Sequence, residues 1–589
     1  MTMFSLQRAR QAMATRKENL AVAVKSKESF KAYLQVPGII ENSEEEGRFL
    51  WSNEDLLPVP PERRNWTYRT YSFLYFGWAM DNWTLGSTMI GIGLNWWQSI
   101  LVILAGQLIN SIFQAINSRC GSIYHISFPI VSRSVFGMVG SYFAVGTRSV
   151  MSVVYYALKL YIGSNFVRNM MRAVFGHAFS NIPNHLPTSA GITTQGMIAF
   201  IVYWVIHIPI MFLRPDQMRW IFTMKMVSIF PAYIGLFIFC MVNTRGQLGS
   251  SLASAKETSS WQFSWFVMAA INASMGNNSL TTTNQPDFCR WSNKPWAPVI
   301  PQIIFNPLAV TIASTLGILA TAAINNSWGL ELWNQWDLLD EIMTRYWRPE
   351  VRFAVFLCAL GQAALVMGTN VAGNIIPLGS DCSMLWPRYI NTVRGQFIGL
   401  FLCWCVVPWK IMASAATFTT FLSGYGMFFA AIVGPTIVEY YYFARGNIFV
   451  PELYHGSSDN PYYWFYKGWG LQAYAAYLIG IALPFTGFVG TLGASVPAVG
   501  VHMGDMGWLL SFFVSAFAYY VICSIFPTGV QRAIKDQGLG WEGNAKHLEG
   551  IIEALVGDDK SSESQNSAGG VRYVPKMSES EPLEKSVNA

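Results

Sequence analysis

Asp81-Asn82-Trp83-Thr84 sets a carboxylate and an amide inside an otherwise apolar run, with Gly86, Gly91 and Gly93 close behind. Much further along, Ser274-Met275-Gly276-Asn277-Asn278-Ser279 interrupts a second apolar run in the same manner. No charge lies between Asp81 and Arg119 or between Glu257 and Asp287, and a membrane helix needs roughly 20 mostly apolar residues. Backbone that leaves the helix at membrane depth must be buried in protein or line a cavity. Either interruption alone fits a glycine kink with satisfied Asn side chains about as well as a site. Two interruptions five helices apart fit an inverted-repeat transporter better, where broken helices free backbone groups near the midplane.

Further charge-free stretches run from Lys294 to Glu331, Arg352 to Asp381, Lys410 to Glu439 and Lys467 to Asp505. Divided at polar or Pro/Gly breaks, the chain gives twelve expected helices, near 70–94, 98–118, 143–167, 191–213, 220–243, 260–283, 298–323, 353–377, 395–410, 412–438, 470–492 and 507–527. The ninth is short. The fold class expected is an all-α integral membrane protein with a tail at each end. The organisation is 1–69 as an N-terminal tail, 70–243 as helices one to five, 260–438 as six to ten, 470–527 as eleven and twelve, and 533–589 as a disordered tail. Arg119, Arg133, Arg214, Arg219, Lys225, Arg290, Lys294, Arg388, Arg394, Arg445 and Lys467 gather on one side with the basic N-terminal tail. The acidic 331–350 segment lies on the other, so the positive-inside rule places both termini in the cytoplasm.

Composition excludes several classes. Of 589 residues, 52% are hydrophobic and 12% charged, whereas a soluble protein is about one-quarter charged. A net charge of +6 with scattered basic residues provides no concentrated basic face for nucleic acid. The lipid bilayer is therefore the expected partner, and no cofactor or metal site is expected. The eight cysteines read as buried reduced thiols. No His-Glu-x-x-His, Gly-x-Ser-x-Gly or Walker loop occurs, so the chain is not expected to be an enzyme. His125 and His207 read as structural. Lysines in the Ser/Glu/Lys-rich tail could carry ubiquitin or trafficking marks, or the tail could be a solvated end without a role.

Asp81 and Lys159 stand out as formal charges well inside expected helices. Such charges are costly and normally face a cavity or a partner, which leaves a buried ion pair or a solute or proton pathway. Gly368-Thr369-Asn370-Val371-Ala372-Gly373-Asn374 adds two amides on one helix face. Their donors and acceptors suit the edge of a pyrimidine or ureide, and they equally suit bridging between helices.

The motifs in order are distinctive. Ser52-Asn53-Glu54-Asp55-Leu56-Leu57-Pro58-Val59-Pro60 leads to Arg64-Asn65-Trp66, then Gly93-Leu94-Asn95-Trp96-Trp97-Gln98 and Arg133-Ser134-Val135-Phe136-Gly137. Asn284-Gln285-Pro286-Asp287-Phe288, Trp386-Pro387-Arg388-Tyr389-Ile390, Pro408-Trp409 and Arg445-Gly446 follow. Over about 52–525 the chain resembles the nucleobase:cation symporter-1 family, in its fungal uracil, uridine and allantoin permease branch. The resemblance implies a leucine-transporter-type fold of two five-helix inverted repeats plus two helices. It implies import of a nucleobase-, nucleoside- or allantoin-like solute across the plasma membrane by cation symport.

By the same resemblance, Tyr155, Lys159, Asn277, Asn278, Asn370 and Asn374 are substrate-binding candidates, and Phe421, Tyr425 and Met427 belong to an outer gate. The chain departs from the family where Tyr155 replaces a Trp and Lys159 a Gln. Asn278 also stands where uracil- and allantoin-type members often carry Lys. Lys159 could pair with Asp81, hold an anionic or carbonyl-rich solute, or supply the charge of a coupling cation. Relatives that use sodium bind it through hydroxyls in helix eight. Here Gly368-Thr369 is one hydroxyl short, which favours a coupling proton, with Asp81 and Thr369 as coupling candidates. A vitamin-like solute, or a receptor-like member that does not transport, stays open.

Overall fold

The computed structural model describes residues 26, 30–31, 34–36, 51–89, 94–248, 259–330, 332–413 and 415–548. Gly91, Gly93, Glu331, most of the N-terminal tail and the last forty-one residues lie outside them. The described chain is helical and contains no strand, with two isolated bridges, Trp66 to Ser292 and Tyr466 to Trp469.

Every expected helix has a counterpart, and the first and sixth are broken where the polar residues fall. α1a (Tyr68–Ala79) opens on a capping box between Thr67 and Thr70 and resumes as α1b (Trp83–Met89) after Met80-Asp81-Asn82. α2 (Trp96–Tyr124) opens on the Asn95/Gln98 capping box and stops at His125, whose φ of 55° ends the helix in the left-handed region. Then come α3 (Ser141–Phe175), α4 (Thr194–His207) and α5 (Arg219–Asn243). α6a (Ser260–Gly276) and α6b (Ser279–Thr283) flank the Asn277-Asn278 break. α7 (Val299–Trp328) and α8 (Pro349–Asn370) follow, and α8 runs through a π-turn at Val371–Ile375 into Ile376–Leu385. α9 (Thr392–Leu402) is short, as its sequence implies, and α10 (Ala415–Val438), α11 (Leu471–Thr491) and α12 (Gly507–Ile525) complete the set.

Among the described residues, eight of the twelve helices are long and apolar enough to cross a membrane, the first, sixth, ninth and tenth not being among them. The breaks shorten the first and sixth, and the ninth is short from the start. The outer faces of α5 and α12 present Val227, Ile238, Phe513 and Phe517 to the surroundings, each more than half exposed. Apolar surface on that scale is what lipid covers.

Helices five places apart pack on one another: α3 along α8, and α2 along α7. α1b approaches α7 so closely that a Cβ on Gly317 would lie 2.5 Å from the Trp83 carbonyl oxygen. This contact holds the broken helix in place although its hydrogen-bond ladder is interrupted.

The boundary drawn at 533 falls inside a further helix, α13 (Gly529–Asp536), capped by Thr528 and Gln531. Beyond it Glu542 pairs with Arg119 of α2 through two 2.8 Å hydrogen bonds. Chain expected to be tail is thus docked on the bundle as far as residue 548, with Val530, Ile534 and Leu548 buried alongside the polar pair. All eight cysteines are free thiols. Six are buried, but Cys358 is half-buried and Cys405 exposed, so burial does not hold for those two.

Candidate functional site

The two breaks meet. Asn277 donates from Nδ2 to Asn82 Oδ1 at 2.7 Å, bridging the gap in helix six to the gap in helix one. The backbone of the first break is held in turn by its surroundings. Asn82 Nδ2 donates to the Ala79 carbonyl at 2.8 Å, Tyr233 of α5 donates to the Met80 carbonyl at 2.6 Å, and Ser314 of α7 donates to the Asn82 carbonyl. Freed backbone is thereby satisfied without a continuous helix.

Beside the bridge, Lys159 of α3 reaches Asp81 with Nζ to Oδ2 at 2.8 Å. Their side chains are 21% and 11% exposed, so the pair borders a space that protein does not fill. Of the two placements open for these charges, the ion pair is present, and it borders that space.

One turn earlier on α3, Tyr155 donates to the Tyr425 hydroxyl of α10 at 2.6 Å, and Tyr425 donates to the Gly276 carbonyl at the end of α6a. Phe421 stacks on Tyr425 with centroids 5.3 Å apart and is tilted against Tyr155 at 5.7 Å. An aromatic cover from α10 therefore rests on α3 and on the broken helix together. Met427 is not part of it. Two residues beyond Tyr425 on a helix it points nearly the opposite way, and its Cβ lies toward Gly507 of α12.

The amides of α8 divide. Asn370 is fully buried and donates to the Tyr156 carbonyl of α3 at 3.0 Å, which is interhelical bridging. Asn374 donates to Asn370 Oδ1 at 2.8 Å from within the π-turn. Trp78 of α1a packs on Gly373 of that turn and meets Phe288 edge-on at 5.3 Å. Asn278 turns away from the site and donates to Gln107 of α2 at 2.7 Å, while Gln107 donates to Ser274. The Thr369 hydroxyl is buried, with no hydrogen-bond partner among the described residues.

Two groups escaped the sequence reading. Lys225 was placed with the basic residues at the cytoplasmic edge, yet it is fully buried in α5. Its position seven residues into a capless, otherwise apolar helix was the available signal. Arg148 of α3, also fully buried, bonds Asp287 Oδ2 at 2.6 Å and grips Asp381 with two nitrogens, including Nε at 3.0 Å. Asp and Lys at positions 81 and 159 are therefore not alone among charges inside the bundle. Arg290 extends the cluster to Ser380 and to the Asp55 carbonyl, where the segment before α1a docks.

Paired broken helices around a polar, partly exposed centre, under an aromatic cover, are the architecture expected of a transporter of the inverted-repeat class. The comparisons agree. Residues 58–511 match the family described as permeases for cytosine/purines, uracil, thiamine and allantoin, and the chain belongs to that family. It is 34% identical to the allantoin permease of Saccharomyces cerevisiae, over 82% of this chain and 78% of that protein. It is 32% identical to the uracil permease of the same yeast, with the same coverage. Its fold is similar to that of Mhp1, a nucleobase-cation-symport-1 family transporter solved closed with bromovinylhydantoin bound. The TM-score is 0.64 at 15% identity, covering 84% of this chain and 99% of Mhp1.

Proposed function

We propose that the chain is a plasma-membrane importer of a neutral nucleobase- or allantoin-like solute, driven by proton symport, and not an enzyme. Twelve crossings, both termini in the cytoplasm, and repeats spanning 70–243 and 260–438 belong to the same reading. Tail lysines outside the described residues are its candidates for ubiquitin or trafficking marks. The observation that carries the reading is the Asn82–Asn277 bridge between the two breaks, beside a partly exposed Asp81–Lys159 pair.

Tyr155, Phe421 and Tyr425 would stack on a flat ring, and Asn374, Asn277 and the ion pair would offer donors and acceptors to its edge. Asn370 and Asn278, spent on Tyr156 and Gln107, support their neighbours from behind. Because Lys159 is occupied by Asp81, the site favours a neutral solute over an anion. Thr369 supplies one side-chain hydroxyl, whereas a hard cation prefers several oxygen ligands, which supports proton over sodium coupling.

The test is expression in a fungal strain lacking its pyrimidine, allantoin and thiamine permeases. Uptake of radiolabelled uracil and allantoin is followed at pH 4.5 and 7.5, with and without sodium. Saturable uptake that is faster at pH 4.5, independent of sodium and abolished by Asn374→Ala is the expected result. A surface-localised protein that takes up neither solute, nor thiamine, overturns the reading.

A further inference from the structure

Where the chain enters α1a and α5, a cavity of about 270 Å³ is lined by Arg69 and Phe73 of α1a and by Arg219, Trp220 and Thr223 of α5. A water molecule takes up about 30 Å³ of the liquid, so the space suits a larger polar group. Both arginines are exposed. Neither meets a carboxylate among the described residues, and no carboxylate lines the cavity. Acids of the adjoining loops are engaged elsewhere: Asp216 bonds Arg63 at 3.0 Å, and Glu54 lies 3.5 Å from Arg214. The Arg69 guanidinium lies over the Phe73 ring, 5.2 Å from its centroid. α5 adds to the unmatched positive charge. It opens at Met218 with no side-chain cap and no acid in its first turn. Its first N–H groups and the positive end of its dipole therefore lack the anion they favour, and Arg219 stands at that same end.

An apolar surface continues from the cavity along α5. Trp220, Val227, Phe230, Ile234 and Ile238 recur at helical spacing on one face, and all are exposed. Phe230 stacks on Phe76 of α1a with ring centroids 5.7 Å apart, so rings close the seam between the two helices along that face. Tryptophan settles where membrane meets water, which sets the cavity at headgroup depth and the exposed face of α5 at acyl-chain depth. A free phosphate would use the cavity alone, whereas a phospholipid uses the cavity and the apolar face together. With no carboxylate to receive an ammonium, the cavity suits a headgroup of net negative charge better than a zwitterionic one.

We propose that this cavity binds one anionic phospholipid, with the lipid phosphate between Arg69 and Arg219 and an acyl chain along the exposed face of α5. Basic pockets between membrane helices take such headgroups, and the guanidinium fork matches phosphate oxygens. The lipid belongs to the leaflet on the side of the N-terminal segment, the cytoplasmic one in the orientation proposed above. Once bound, it bridges the entry of broken helix one to the entry of α5. The site depends on neither the solute nor the coupling ion.

Melting curves of the purified full chain test it, in detergent micelles with phosphatidylcholine and a rising fraction of phosphatidylinositol. The expected result is a saturable rise in melting temperature of about 3 °C or more. The double variant Arg69→Gln, Arg219→Gln should melt as wild type does in phosphatidylcholine alone and lose the rise. Lys294→Gln with Arg532→Gln removes two other exposed charges away from the cavity and should keep it. A rise that survives in the first variant, or disappears equally in the second, overturns the proposal, because lipid charge then acts on the surface as a whole. Inorganic phosphate and glycerophosphoinositol should give no rise. If either matches the lipid, the cavity takes a soluble anion and the lipid assignment is overturned. Native mass spectrometry of wild type needs no variant: one retained phosphatidylinositol per chain is expected, and retention no greater than that of phosphatidylcholine overturns the site.

Discussion

At the scale of single residues, the Asp81–Lys159 contact is the one on which the proposed preference for a neutral solute rests. Removing one partner strands the other charge in a site that is only 11–21% exposed. Hydrogen bonds to charged groups contribute about 1.5–3 kcal/mol, so Lys159→Gln and Asp81→Asn should each lower stability by roughly that amount. The double variant, with two neutral amides able to bond each other, should recover more than half of the sum. Melting curves of the four proteins in detergent give the coupling energy. Strictly additive losses would mean that the pair is not formed. The same residues show what a sequence can and cannot reveal. Both charges stood out because they interrupt apolar runs. Their contact depends on how α1a and α3 are rotated about their own axes, and periodicity does not report that. Lys225 was missed for a related reason: a lysine near a helix end is expected to extend toward water, whereas Gly77 and Gly368 let this one turn inward.

At the scale of elements, the bundle is cross-braced by Arg148, which binds carboxylates 139 and 233 residues away in sequence. α3, the segment after α6b and the end of α8 are thereby pinned at one point, with the Arg148 guanidinium 4.2 Å from the Phe128 ring. Such a cluster is invisible to spacing arguments because its members share no motif. The breaks in helices one and six were legible, since Asn and Gly inside apolar runs are local signals. Breaking a buried ionic cluster by removing one member costs about 3–5 kcal/mol, while replacing every member can be neutral. Arg148→Met alone should therefore reduce the folded, surface-localised fraction severely. Arg148→Met with Asp287→Asn and Asp381→Asn should restore much of it, as read by fluorescence-detected size exclusion. If the triple variant is no better than the single one, the cluster's value lies in its specific hydrogen bonds and not in charge balance.

At the scale of the whole molecule, the fold class and the order of twelve helical segments were readable because lipid demands long apolar runs. The docking of 51–66 and 529–548 was not, because Trp51, Leu56, Val59, Val530 and Ile534 are buried singly and not in a helix-length apolar run, alongside polar contacts such as the Glu542–Arg119 pair. One such contact makes the stability of the assembly depend on pH. His125 ends α2 in a left-handed conformation and shares a 3.0 Å hydrogen bond between Nδ1 and the Arg290 carbonyl. Its pKa is lowered from 6.5 to about 4, first by burial and then by nearby Arg64, with the Arg290 carbonyl opposing. The neutral ring is thus the form the fold accepts. Its contribution is complete above pH 6.5 and is lost as the pH falls through about 4. At 1.36 kcal/mol per pKa unit the difference amounts to about 3 kcal/mol. The melting temperature of the purified protein should accordingly drop between pH 6.5 and 4. His125→Asn, which tolerates the left-handed backbone and keeps an amide donor for the Arg290 carbonyl, should flatten that part of the curve. An unchanged slope in His125→Asn would show that His125 charges freely in the folded protein and that other groups carry the acid sensitivity.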